Sequence, residues 1–329
     1  MLPSTKSCGP LCLVLLTCTC LVAQHSFVVN PQQEETAYPL WVAKGETLSF
    51  QISGHWRMWE QWQPVDYRGH TNFGKINEHG YLGTLVGRIE GGDYFAIVDG
   101  MHHASPADGR LILFANRGDY RELTVSGALT VTVSGGRPVS AAEAEKLAGW
   151  DLSQLDTAAK VPYLSRAEQE VVLYLNKART NPALFAQRYL FHLRNRSADE
   201  QECYAVMLRQ KPCSALLPDA ALAAAAQAHA EDMGKTGKIG HVGSDGATLR
   251  ERLWRAGAAI NTYLAENCSY GYEDPVQIVL QLLVDAGVPS RGHRRNLLNP
   301  NLQFIGVGIR PHIEHRFNSV HDFAGRIKN

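Results

Sequence analysis

This sequence has no net charge, no CxxC pair and no apolar run long enough to cross a bilayer. Its 329 residues carry 32 Lys and Arg against 32 Asp and Glu. No excess charge therefore draws the whole molecule to nucleic acid or to an anionic membrane. The N-terminal run LCLVLLTCTCLVA (11–23) ends after 13 apolar or small residues, where a span needs roughly 20. With Lys6 as the only early charge and Ala23 before Gln24, it has the size of a secretory h-region. Residues 1–23 are thus expected to be a signal peptide outside the fold. Cys18 and Cys20 raise a lipoprotein anchor as the alternative, against which Leu16-Thr17 makes a poor lipobox. No transmembrane segment is expected in the mature chain, so the protein is expected to be secreted or to sit in the periplasm or cell envelope.

Beyond the leader only Cys203, Cys213 and Cys268 remain of seven cysteines. Without a CxxC pair a thiolate zinc site is not expected. In an oxidising compartment Cys203 and Cys213 are close enough to close a short disulfide loop, leaving Cys268 alone, although three pairings are open. Repeats and low-complexity tracts are missing too, as is any motif of a serine or cysteine nucleophile. Ser244 and Ser290 lie near histidines, yet turn serines ordinarily bond their own backbone.

What is present is a globular composition, 45% hydrophobic and 19% charged, over a length that suits two domains. From 27 to 134 the chain reads as strands. ETLSFQIS, YLGTLVGRI, YFAIVDG, RLILFAN and ALTVTVS are short, β-branched and aromatic, and separated by Gly, Asn and Asp. Such spacing without helical periods predicts an antiparallel β-sandwich. SGGRP closes that region, and 135–163 reads as a linker with one helix. From 164 to 325 the period changes. Ser165 and Glu168 form a capping box, Asp219 precedes an Ala-rich helix, and Pro275 and Gly287 bracket a third helix. QFIGVGIRP and NSVHDFAG then read as strands.

Four polar residues fall at the joints of this second half: His241 in KIGHVGSDG, Glu266 in LAENCSYG, Asp285 near the end of the third helix, and His293 in GVPSRGHRRNLLNP. Two imidazoles and two carboxylates are the ingredients of an open metal site or of acid–base chemistry. The plainer reading of His293 is a turn histidine capping a short helix. The arginines beside it, Arg291, Arg294 and Arg295, read as surface ion pairs of small worth. His229, among alanines in AQAHAEDM, reads as a helix histidine at the core edge, and Cys268 as a small buried residue.

LYLNKARTNPA, AAAAQAHAEDM, GHVGSDGATLRERL, AENCSYGYEDPVQIVLQLLVDAGVPSRGHRRNLLNPNLQFIGVGI and VHDFAG together resemble successive blocks of the CAP superfamily. They run in order over about 165–325, and GHRxNxLNP is the form of its microbial branch. The resemblance implies an α-β-α sandwich with a cleft holding two histidines and two acids. These are His241 and His293 as ligands of zinc or another divalent ion, with Glu266 and Asp285 behind them. Glu266 stands in AEN where the family has GEN, and Asp285 is an aspartate where many members have glutamate. The resemblance also implies a binder of sterols, lipids, ions or proteins, with a metal-assisted peptidase or esterase as the alternative. In that alternative His241, Glu266, Asp285 and His293 are the catalytic candidates.

The first half holds Trp56, Trp59 and Trp62 in SGHWRMWEQWQPVDYRGH. Residues 36–134 are similar to the small β-sandwich of bacterial galactophilic lectins. That similarity implies carbohydrate binding near Trp62, Asp66, His70 and Asn116. In those lectins Asn-Asp and Asn-Asn pairs hold a calcium ion. Here the pairs read Asn116-Arg117 and Thr124-Val125, and an arginine and a valine argue against calcium.

Overall fold

Short strand-forming runs parted by turn residues fold as the sequence predicts. The computed structural model describes residues 23–118, 120, 123–258 and 263–325, so all of the expected signal peptide except Ala23 lies outside the described residues. The first half comprises β1 (Gln24–Val29), β2 (Thr36–Val42), β3 (Thr47–Arg57), β4 (Leu85–Ile89), β5 (Tyr94–Ala96), β6 (His102–Ala104), β7 (Gly109–Ala115), β8 (Ser126–Ser134) and β9 (Arg137–Pro138). They pair into two antiparallel sheets, ordered β1-β8-β3-β6 and β5-β4-β7-β2-β9. Period-two alternation turns Leu129, Val131 and Val133 of β8 inward. There they join Leu48 and Phe50 of the same sheet and Leu111 and Leu113 of the other, all at 0% exposure. Both sheets thus bury one common apolar cluster.

The segment 135–163 was expected to be a linker with one helix, and it is more ordered than that. It holds β9, paired to β2, and two short helices, α1 (Ala141–Ala148) and α2 (Leu152–Leu155). Ser140 and Asp151 cap them. Ala144 of α1 packs with Trp41 and Val139 beside the first half, while Trp150 belongs to the core of the second.

The second half continues with α3 (Arg166–Thr180), α4 (Pro182–Phe185), α5 (Ala198–Met207), β10 (Leu217–Pro218), α6 (Ala220–Thr236), α7 (Leu249–Arg255), β11 (Leu264–Tyr270), α8 (Pro275–Val284), α9 (Gly292–Leu297), β12 (Phe304–His312) and β13 (Arg316–Ala324). The Ser165/Glu168 capping box and the Asp219 cap form as read. The sheet runs β10-β12-β13-β11, parallel only at β10–β12. One face carries Ile305, Val307 and Phe323 into a core shared with α3, α5 and α8. The other carries Gly306 and Gly308, on which α6 lies directly. A Cβ at 306 would stand 2.0 Å from the backbone carbon of Leu222, and one at 308 would stand 2.5 Å from Cα of Gln227. Helices therefore cover both faces, and β11 is an edge strand.

Charge joins the two halves. Arg188, with a side chain 2% exposed, bonds Glu90 of the first half at 2.9 Å and Glu145 of α1 at 3.0 Å. Arg88 of β4 donates to the Gln187 carbonyl at 3.2 Å and lies 4.4 Å from the Phe191 ring centre. Burial would push the Glu90 carboxyl up, but Arg110 and Arg188 outweigh that and hold it below the usual range.

One expectation fails. Cys203 and Cys213 are not bonded to each other; all three described cysteines are free. α5 turns Cys203 into the core, where its thiol faces the Leu283 carbonyl at 3.3 Å, while Cys213 faces the Leu298 carbonyl at 3.8 Å. Proximity in sequence does not fix direction, and the helix points one of the two inward.

Candidate active or metal site

β11 and the two turns beside it build the site. Glu266 and Cys268 point to the α6 face of the sheet, and Asn267 and Ser269 to the α8 and α9 face, as strand alternation requires. His241 follows α6 in a turn, and its Nδ1 donates to Oε1 of Glu266 at 2.9 Å. Arg252 of α7 grips the other carboxylate oxygen and also donates to the His241 carbonyl at 2.8 Å. Glu266 is buried, which raises its pKa. The hydrogen bond from His241 and the charge of Arg252 overcome this and hold it below the usual range. The hydrogen bond to Glu266 in turn raises His241 against the opposing effect of burial.

The second pair is built differently. Asp285 ends α8 in the left-handed conformation, with φ 53°, and Arg291 ahead of α9 does the same at φ 49°. Arg291 ties this turn by donating to the Asp285 carbonyl at 2.8 Å. The Asp285 carboxylate then accepts twice from His293, from the backbone N–H at 2.9 Å and from Nδ1 at 2.6 Å. The short aspartate suits this place because its carboxylate only has to cross one tight turn.

A carboxylate only accepts, so each imidazole donates from Nδ1 and, when neutral, keeps its lone pair on Nε2. Both histidines line one cavity of about 1170 Å³, whose wall also takes in Cys268, Tyr270, Leu280, Val284 and Asp285. The structure thus places the four sequence-derived residues as two histidine–carboxylate pairs on either side of the β11 edge. Such pairs can orient a metal-bound water or hold an ion.

Several groups escaped the sequence reading. Arg252 lies in GATLRERL, where nothing in the local sequence marks it as a partner of Glu266. The arginines after His293 are not all loose surface ion pairs. Arg294 is 4% exposed and bonds Glu202 at 2.9 and 2.8 Å, Leu283 O at 2.5 Å and Val284 O at 3.0 Å. Asp322, the cross-strand neighbour of Glu266, is fully buried, and burial with the Glu266 charge raises its carboxyl well above the usual range. No sequence pattern distinguishes this aspartate from a solvated one.

In the first half Trp62 and His70 meet, while Asp66 and Asn116 each have a side-chain partner of their own. Asp66 is taken by Arg68 at 2.6 Å. Asn116 is buried in a reciprocal amide pair with Asn77 at 2.9 Å. Trp62 stacks on Phe73 at 5.0 Å and meets His70 edge-on at 4.8 Å. Trp56 is core, its indole N–H donating to the Gly83 carbonyl at 2.9 Å.

Among the described residues no helix is long and apolar enough to cross a membrane. No curated protein matches the chain. Among solved structures it is similar to an extracellular protein containing an SCP domain from Bacillus anthracis, at 17% identity and a TM-score of 0.33 over 67% of this chain. The chain spans about half of that protein, 54%. An outer surface protein of Borrelia burgdorferi matches at 23% identity and TM-score 0.29, over 34% of this chain and 77% of its own. The EclA N-terminal domain, a PllA-like lectin, matches at 22% and 0.27, over 34% and 95%. Residues 172–323 match the model of the cysteine-rich secretory protein family, CAP. From α3 to β13, the C-terminal half of this chain resembles the CAP superfamily.

Proposed function

We propose that the protein is a secreted or surface-exposed binding protein whose C-terminal cleft holds a divalent ion through His241 and His293. One observation carries the reading. Each Nδ1 is engaged by a buried carboxylate, at 2.9 and 2.6 Å, which leaves both Nε2 lone pairs for a ligand. The donor set fits zinc or a similar ion with water completing the shell, and two protein nitrogens predict modest affinity. Such an ion supplies Lewis acidity to whatever shares the cleft. The test is calorimetry with zinc on wild type and on His241→Ala/His293→Ala. The double variant should lose a binding event, and equal heats in both overturn the reading. Peptide or ester turnover that disappears in the double variant would assign hydrolysis instead.

A second reading concerns the first half. Trp59 and Phe73, 41% and 53% exposed, flank Trp62 and present aromatic faces of the kind that pack on the apolar face of a sugar. Carbohydrate binding here predicts a glycan-array signal lost in Trp62→Ala, and a silent wild-type array overturns it.

A further inference from the structure

A second set of metal-ligating atoms lies deeper than the paired histidines. A ring nitrogen of His229, a carboxylate oxygen of Glu266 and Sγ of Cys268 stand within 4.8 Å of one another, and all three residues are buried. They meet because α6 crosses the face to which Glu266 and Cys268, two apart in β11, both point. His229 is 1% exposed, and its Nε2 lies 3.0 Å from the Gly240 carbonyl, which as an acceptor fixes the proton there. Nδ1 is left as a buried acceptor with no hydrogen-bond partner, an expense that protein interiors rarely leave uncompensated. Cys268 is 7% exposed, and its thiol meets Gly240 O at 3.4 Å, Nδ1 of His241 at 3.7 Å and the Tyr270 hydroxyl.

We infer that His229, Glu266 and Cys268 form a buried site for zinc or a similar borderline-soft divalent ion, next to the cleft ion and sharing Glu266 with the His241 pair. Nitrogen, sulfur and oxygen ligands with a fourth position open to water are the composition of open zinc sites, and a thiolate disfavours magnesium and calcium. Ligand atoms in a tetrahedral zinc site stand roughly 3.3–3.8 Å apart, so the set needs only a modest contraction. Binding breaks the Cys268 S–H bond, forms the sulfur–metal bond and releases one proton to solvent. A divalent ion with one thiolate and one carboxylate is neutral, which suits the apolar neighbours Ala226, Ala230 and Val320. Before binding the site carries the Glu266 charge alone, so the ion and one lost proton raise its net charge by one beside Arg252.

The experiment uses Co²⁺ on the full chain. Wild type and His293→Ala should both show near-ultraviolet thiolate-to-cobalt charge transfer. Cys268→Ser should lose it, and His229→Ala should need at least tenfold more cobalt. No charge transfer in wild type, or a band that survives in Cys268→Ser, overturns the site. Retention in His293→Ala, which removes a cleft ligand paired with Asp285 rather than with Glu266, keeps this result independent of the cleft reading. A second measurement needs no variant: zinc should slow alkylation of Cys268, read by peptide mass spectrometry, at least tenfold relative to Cys203 and Cys213. Equal labelling with and without zinc overturns the site.

Discussion

Nδ1 of His241 donates to one oxygen of Glu266 while Arg252 holds the other. The imidazole is therefore more basic than an ordinary histidine, through this hydrogen bond first and the Glu266 charge as well, against burial and Arg252. A raised folded-state pKa stabilises the fold at pH below the unfolded value, about 6.5. That contribution is lost as pH rises through the folded value. In Glu266→Gln the His241 midpoint should fall, read by NMR titration of the ring protons. An unchanged midpoint would show that the carboxylate does not set it.

His321 behaves oppositely. It is fully buried, its Nε2 meets Ser319 at 2.9 Å, and burial, then the His293 charge, pushes its pKa down to about 3. The unfolded chain takes up this proton below about 6.5 and the folded chain does not. Stability is thus present above that pH and drains away as pH falls towards 3, by at most about 1.4 kcal/mol per pH unit for one proton. His321→Gln should flatten the fall of Tm between pH 6.5 and 4, checked by thermal scans across that range.

Arg179 is a cross-tie with four carbonyl partners: Ser214, Leu297, Asn299 and Leu302, at 2.8, 2.6, 3.1 and 2.9 Å. It pins the LLNP turn behind His293 to α3. Arg179→Ala strands buried carbonyls and should cost on the order of 3 kcal/mol. Arg179→Lys should recover only part of that, because an ammonium cannot reach four carbonyls from one plane. Denaturant unfolding of both variants measures it, and a loss below about 0.5 kcal/mol in Arg179→Ala contradicts the role.

Gly306 has no room for a side chain, since a Cβ would stand 2.0 Å from backbone of α6. Gly306→Ala must push α6 off the sheet, and a loss of roughly 3 kcal/mol or more is expected. Unfolding midpoints of wild type and variant give the answer directly.

The sequence exposed most of what is local. Alternation in SGALTVTVS, the Ser165/Glu168 box and the Asp219 cap each act within one or two turns, so residue order alone reveals them. His241, Glu266 and His293 were legible because their turns lie in the motif blocks GHVGSDG, AEN and RGHRRN. Partners made in space were not legible. The arginine run after His293 looks solvated, yet Arg294 is buried because α5 brings Glu202 to it from 92 residues away. The Asp285 turn needs a left-handed non-glycine residue, a conformation that residue type does not announce. Cys203 and Cys213 misled because a helix, rather than their spacing, sets where the thiols point.

The Arg188 bridge also bears on where this chain can be divided. A fragment beginning at 164 keeps Arg188 and loses both Glu90 and Glu145, so it inherits a guanidinium shaped for an interior and given no counter-ion. A fragment ending at 134 keeps Glu90 with Arg110 as its remaining cation. The halves differ in architecture, but they are not interchangeable parts: Arg188 of the second relies on carboxylates that precede it in the chain, and a clean dissection would have to rewrite the charges along the cut.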